Sequence, residues 1–250
     1  MSALPQKSSP ATTFPQTLPC KGLLFDMDGI LVSSLGSVER SWRAWALARG
    51  VDPDLAIRTA HGCRAIETIR KLRPDLDDLV ELRWIEDLEV NDQEGVATLP
   101  GVRELLAALP ADHWTVVTSA TERLARVRLA AVGLRVPERI ITADQVTHGK
   151  PHPEPYLRGA ALLGLPPAEC VVFEDSGSGA KAGHAAGATV IATLFSHTPA
   201  ELAAAHFLVR DLTQIALESL ADGLVLRLNA LRFDSPQSSP EHEISSARAE

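Results

Sequence analysis

Five short apolar runs mark the middle of the chain: KGLLF at 21–25, WTVV at 114–117, RIIT at 139–142, VVF at 171–173 and TVIAT at 189–193. They read as strands, and the first, second and fourth end directly in carboxylates or hydroxyls. Helical periodicity fills the spaces between them, at about 101–109, 121–132, 154–164 and 177–187. Continuously apolar strands alternating with helices predict an α/β fold, a Rossmann-like parallel sheet covered by helices on both faces. Ligands of such sheets bind at the carboxyl ends of the strands, where those polar residues fall.

Residues 35 to about 95 break the alternation. They hold no good strand and read as helices at 35–49, 61–72 and 76–90, with Pro53 and Pro74 as punctuation. This predicts a small all-helical cap inserted after the first strand, where it can shut out water and touch a substrate. The expected organisation is a catalytic core from 21–33 and 97–232, a helical cap at 34–96, and disordered tails at 1–20 and 233–250. Both tails are polar and rich in Pro, Ser or charge.

Composition narrows the function. The net charge of -8 disfavours nucleic acid and anionic membranes as partners. No apolar run approaches the ~18 residues of a membrane span, and the N-terminus lacks the basic-then-apolar pattern of a signal peptide. The three cysteines, Cys20, Cys63 and Cys170, are far apart and show no metal-site spacing, which fits a reduced, cytoplasmic setting. There are only five lysines, so a lysine at a chemical site draws notice.

Four constellations carry candidate chemistry. Asp26-Met27-Asp28-Gly29 follows the first strand, and alternation points both carboxylates to one side. Such a pair can divide labour between attack and proton transfer, although D-x-D-G is also a common surface turn. Glu174-Asp175 follows the fourth strand. On one sheet these acids crowd the first pair, a cluster that calls for a hard cation such as Mg²⁺. Thr118-Ser119 offers hydroxyls and free N–H groups at a helix start, suited to phosphate or to simple capping. Lys150 lies in Gly149-Lys150-Pro151-His152-Pro153, a stiffened segment that can hold an ammonium against carboxylates and phosphate.

The four together, in this order, resemble the haloacid dehalogenase superfamily, specifically its small-molecule phosphatase branch with a helical cap. The matching residues are Asp26-Met27-Asp28-Gly29, Thr118-Ser119-Ala120, Lys150-Pro151 and Phe173-Glu174-Asp175-Ser176-x-x-Gly179. The resemblance implies that Asp26 attacks phosphorus and that Asp28 protonates the leaving oxygen and then activates water. It further implies that Thr118, Ser119 and Lys150 bind the phosphoryl group. Mg²⁺ would be held by Asp26, Asp28 and Asp175, with Glu174 close by. Ala60 to Arg70 resembles the substrate loop of 2-deoxyglucose-6-phosphatases and glycerol-phosphatases. It implies a small sugar or polyol phosphate as substrate, with Arg64 and His61 as specificity residues. The chain is expected to act as a monomer. A phosphosugar mutase of the same fold and a non-catalytic interaction protein are the competing readings.

Overall fold

The computed structural model describes residues 12–135, 137–220 and 222–232. Its centre is an eight-stranded sheet. Five strands run parallel: β2 (Gly22–Phe25), β5 (Trp114–Val116), β6 (Cys170–Glu174), β7 (Thr189–Thr193) and β8 (Phe207–Val209). They stand in the order β8-β7-β6-β2-β5, so β2 and β6, the two strands that end in acids, are neighbours.

Alternation along these strands feeds two separate cores. Leu23 and Phe25 of β2, with Val171 and Phe173 of β6, pack on one face beneath α5 (Val102–Ala108) and α6 (Glu122–Ala131). Leu24 and Val172 face the other way, against Tyr156 and Ala160 of α7 (Glu154–Leu162) and Ala180 and Ala182 of α8 (Gly177–Ala185). Phe25 stacks on Phe173 with ring centroids 4.6 Å apart. That stack fixes the register immediately before Asp26 and Glu174.

The chain leaves the sheet at β3 (Val32–Ser33) and returns at β4 (Ala97–Thr98), and these two strands pair with each other. Between them lie four helices, α1 (Leu35–Arg49), α2 (Pro53–Ala60), α3 (Ala65–Leu72) and α4 (Asp78–Asn91). They bury a core of their own around Trp42, Trp45, Ile69 and Ile85. Pro53 marks a boundary between helices, as expected, and opens an unexpected helix over 53–60. It is the first residue of α2, behind an Asp52 cap that accepts the Leu55 N–H at 2.6 Å, the position where a missing N–H costs nothing. Among the described residues no helix is long and apolar enough to cross a membrane.

Two expectations need correction. Residues 139–142 do not form a strand; pairing is reduced to a single bridge between Val117 and Ile141 before a 3₁₀ turn at Ala143–Gln145. The tail expected at 1–20 is strand over its second half. β1 (Thr12–Cys20) pairs antiparallel with β10 (Gly223–Arg232) along its whole length. β10 also pairs with β9 (Ile215–Leu220), which makes an antiparallel extension of the sheet. The remainder of both expected tails, 1–11 and 233–250, lies outside the described residues.

Candidate active site

Asp26 stands at the end of β2, its N–H still paired with the carbonyl of Phe173 at 2.9 Å. Lys150 approaches from the loop before α7 and places Nζ 3.0 Å from Asp26 Oδ1 and 2.7 Å from Glu174 Oε1. All three are almost wholly buried, as is Asp175. Oxygens from Asp26, Glu174 and Asp175 come within 4.8 Å of one another. Three buried carboxylates around one ammonium leave an excess of negative charge. Burial pushes the Asp26 carboxyl up to about 7 despite the pull of Lys150. Burial, with Glu174 and Asp26 beside it, raises Asp175 well above the carboxylate range. Lys150 is held above its ordinary range by the two carboxylates although burial opposes it. The donor set is hard oxygen and its charge is uncompensated, so it fits a divalent cation of the magnesium type.

The acids do not play equal parts. Glu174 Oε1 accepts from Lys150 and from the Tyr156 hydroxyl, the latter at 2.6 Å. Its Oε2 accepts from the N–H groups of Asp175 and Ser176 and from Ser176 Oγ. Glu174 is thereby a brace that fixes Lys150 and the following turn. Asp26 and Asp175 commit one oxygen each, to Lys150 and to Ser196, and both line the cavity in front of the sheet. Two glycines make the approach tight enough. Gly29 adopts φ of 81°, and a Cβ there would overlap the Asp175 carboxylate. At Gly179 a Cβ would overlap Glu174.

Asp28 has partners of its own. Ser34 Oγ donates to its Oδ1 at 2.6 Å, and Arg128 Nη1 donates to both oxygens at 3.0 Å. Thr118 and Ser119 follow β5 at the floor of the same cavity, with the Ser119 hydroxyl 3.5 Å from the Gly62 carbonyl. Ser178 donates to that carbonyl too, at 3.0 Å. The loop at His61–Arg64 is therefore gripped from the sheet side.

Arg64, expected to face a substrate, has its guanidinium occupied. It donates to Glu67 and to the carbonyls of Val146 and Thr147, both at 2.9 Å. It ties the start of α3 to the segment that leads into Lys150, while lining the cavity with its remaining surface. His61 also lines the cavity, and burial followed by the nearby His197 lowers its pKa. The cavity has a volume of about 370 Å³. Its floor is polar, and its far wall is apolar, built from Val38 and Trp42 of α1 with Leu82 and Ile85 of α4.

Arg128, Glu89 and Ser196 escape a motif-based reading, and Tyr156 has no role assigned by one. Arg128 and Glu89 leave a trace nonetheless. In α6 the buried positions are Leu124, Ala125, Arg128 and Leu129, and in α4 they are Glu81, Ile85 and Glu89. A charged residue on the buried stripe of an amphipathic helix implies a buried partner.

A parallel sheet carrying a strand-end D-x-D, a loop lysine and a second acid pair defines the hydrolase class whose sequences the chain matches. The chain belongs to the haloacid dehalogenase-like hydrolase family, which matches residues 20–187. It is 40% identical to hexitol phosphatase A of Escherichia coli over 212 residues, covering 83% of this chain and 98% of that protein. Glycerol-1-phosphate phosphohydrolase 2 of Saccharomyces cerevisiae is 36% identical, with 72% and 77% covered. A hydrolase from Pseudomonas syringae superposes with a TM-score of 0.70 at 26% identity, covering 78% of this chain and 95% of that one.

Proposed function

We propose that the chain hydrolyses the phosphate monoester of a small sugar or polyol through an aspartyl-phosphate on Asp26. The observation that carries this reading is Asp26 itself, buried at a strand end between Lys150 and Asp175, with Asp28 two residues on and held by its own partners. The substrate class rests on the relatives, which are named for hexitol and glycerol phosphates.

The residues divide the work. An Asp26 oxygen attacks phosphorus, and the P–O bond to the sugar breaks as Asp28 gives its proton to the departing oxygen. Asp28 then takes a proton from water, which attacks the aspartyl-phosphate and returns Asp26 as phosphate leaves. Lys150, Thr118 and Ser119 hold phosphoryl oxygens and keep them in line. Mg²⁺, held by Asp26, the Asp28 carbonyl and Asp175 with Glu174 bracing behind, would supply charge neutralisation at the phosphoryl group. The helical domain at 34–96 acts as the lid.

A screen of hexitol, glycerol and hexose phosphates, with magnesium and with EDTA and without any bisphosphate activator, tests the reading. Activity should vanish on chelation and return with magnesium. Calcium should restore it poorly, because its larger, looser shell misplaces the attack. Asp175→Ala should be inactive or need far more magnesium. Full turnover after exhaustive chelation would refute the metal assignment. Transfer of phosphate between sugar positions without release would favour the mutase.

Arg64→Ala tests whether the residue reads the substrate. Its guanidinium braces the Lys150 segment, so kcat/KM should fall by a similar factor for a hexitol phosphate and for p-nitrophenyl phosphate. Losing about 1.4 kcal/mol of bracing corresponds to about tenfold. A fall confined to the hexitol phosphate would return Arg64 to direct substrate contact.

A further inference from the structure

Helix α4 meets α6 along a charge-complementary seam. At its rim, Arg123 Nη1 donates to Glu86 at 2.8 Å and to Asp87 at 2.5 Å, and Thr121 donates to Glu86. Arg123 and Asp87 are half exposed, and ion pairs of an exposed arginine contribute little. The interior is different. Arg128 is 2% exposed and Glu89 is 6% exposed. Arg128 Nη1 bridges both oxygens of Asp28, while Nη2 lies 3.5 Å from Glu89 Oε1. Nε and Nη2 of Arg128 are buried without a hydrogen-bond partner among the described residues. One guanidinium thus sits between an acid of the sheet and an acid of the helical domain. Burial pushes the Glu89 carboxyl up to about 7 against the pull of Arg128.

Burying an arginine is costly unless its geometry is used. Here Nη1 hydrogen-bonds both oxygens of Asp28 while Nη2 faces Glu89 only as an ion pair at 3.5 Å, so the guanidinium links the two acids and orients Asp28. Ser34, at the start of the helical segment, supplies a third contact to the same carboxylate. We infer that Arg128 is the positioning residue for Asp28, and that Glu89 makes this positioning depend on α4 lying against α6. The inference rests on the phosphatase reading, in which Asp28 hands its proton to the ester oxygen as the P–O bond breaks and the Asp26–P bond forms. The acid is then aimed only while the helical domain is docked, so proton delivery is coupled to closure over a substrate. With Glu89 absent, the guanidinium keeps one anchor and can pivot. A small advance of α4 would turn the 3.5 Å approach into a hydrogen bond and satisfy Nη2.

Leaving groups separate positioning of an acid from simple loss of structure. A sugar or polyol alkoxide needs a proton to depart, whereas p-nitrophenolate does not. The experiment compares Arg128→Met, Arg128→Lys and Glu89→Gln in the full chain, with magnesium, by pre-steady-state and steady-state kinetics. Glycerol phosphate and hexitol phosphate are set against the p-nitrophenolate burst. Arg128→Met should slow cleavage of the alkyl esters by about 30-fold, short of the ~10²–10⁴ expected for losing a general acid outright. The p-nitrophenolate burst should stay within about threefold of wild type, and KM for both classes should hardly move. Arg128→Lys, which keeps the charge without the fork, should recover only part of the loss. Glu89→Gln preserves volume and tests the idea even if Arg128→Met fails to fold; it should slow the alkyl esters alone by about 5-fold, a fraction of the general-acid effect. Arg123→Ala, at the rim, should leave both rates unchanged. Equal losses on both ester classes, or none on either, would overturn the positioning role. Failure of the phosphatase reading would show separately, as a wild-type enzyme that cleaves neither class.

Discussion

Asp26→Asn is expected to reduce phosphate release to background and to leave no phosphoenzyme in an acid quench. The substitution is isosteric, so the stack of Phe25 on Phe173 and the Asp26 N–H bond to Phe173 should survive, and the fold with them. What changes is chemistry. An amide oxygen is a poor nucleophile toward phosphorus and a weak ligand for a hard cation. An amide nitrogen could also be turned toward Lys150, which now lies 3.0 Å from a carboxylate oxygen. Asp28→Asn should cost on the order of 10²–10⁴-fold, the usual worth of a general acid–base. Unlike the Asp26 variant, it should still form some phosphoenzyme from p-nitrophenyl phosphate, whose leaving group needs no proton. Trapping labelled phosphate on the protein distinguishes the two cases. Wild-type turnover by Asp26→Asn would end the covalent mechanism.

The motif residues were legible because each interrupts a pattern where the fold cannot hide it. Acids immediately after an apolar strand have nowhere to go but the sheet's carboxyl edge. The bounds of α1 were equally plain, since Leu35–Arg49 is a long segment with a Gly50 cap. Contacts between elements were not legible. Nothing adjacent to Arg64 in the sequence announces the carbonyls of Val146 and Thr147 some 80 positions away. Reading it by motif alone suggests a substrate contact, whereas geometry supplies partners within the chain. Glu174 is expected close to the metal, and the sequence does not show that five donors converge on it. Arg128 is the intermediate case. Its place on a buried stripe is visible in the sequence, but its partners Asp28 and Glu89 come from two other parts of the chain.

The N-terminal strand was obscured by its own composition, and it supports the second large effect expected. Pro15 and Pro19 look like breakers, but they share parity. In an edge strand every second N–H faces away from the neighbour, so two prolines four apart can both sit on the open side. β1 is such an edge, with β10 as its neighbour. Residues of the other parity, Phe14, Leu18 and Cys20, turn inward against the core, opposite Ala230, Leu226 and Leu224 of β10. Removing residues 1–20 should therefore cost on the order of 3 kcal/mol, from partial burial of three apolar side chains worth roughly 1.5–3 kcal/mol each when fully buried. For a chain of this size that lowers Tm by about 6–12 °C. It would also leave β10 as a long unpaired apolar edge prone to association. Because adjacent residues face opposite sides, Leu18→Glu should reproduce most of the loss while Thr17→Glu, on the exposed face, should be nearly silent. Thermal melts of the three proteins check this, and equal behaviour of the two point variants would show that β1 does not hold this register.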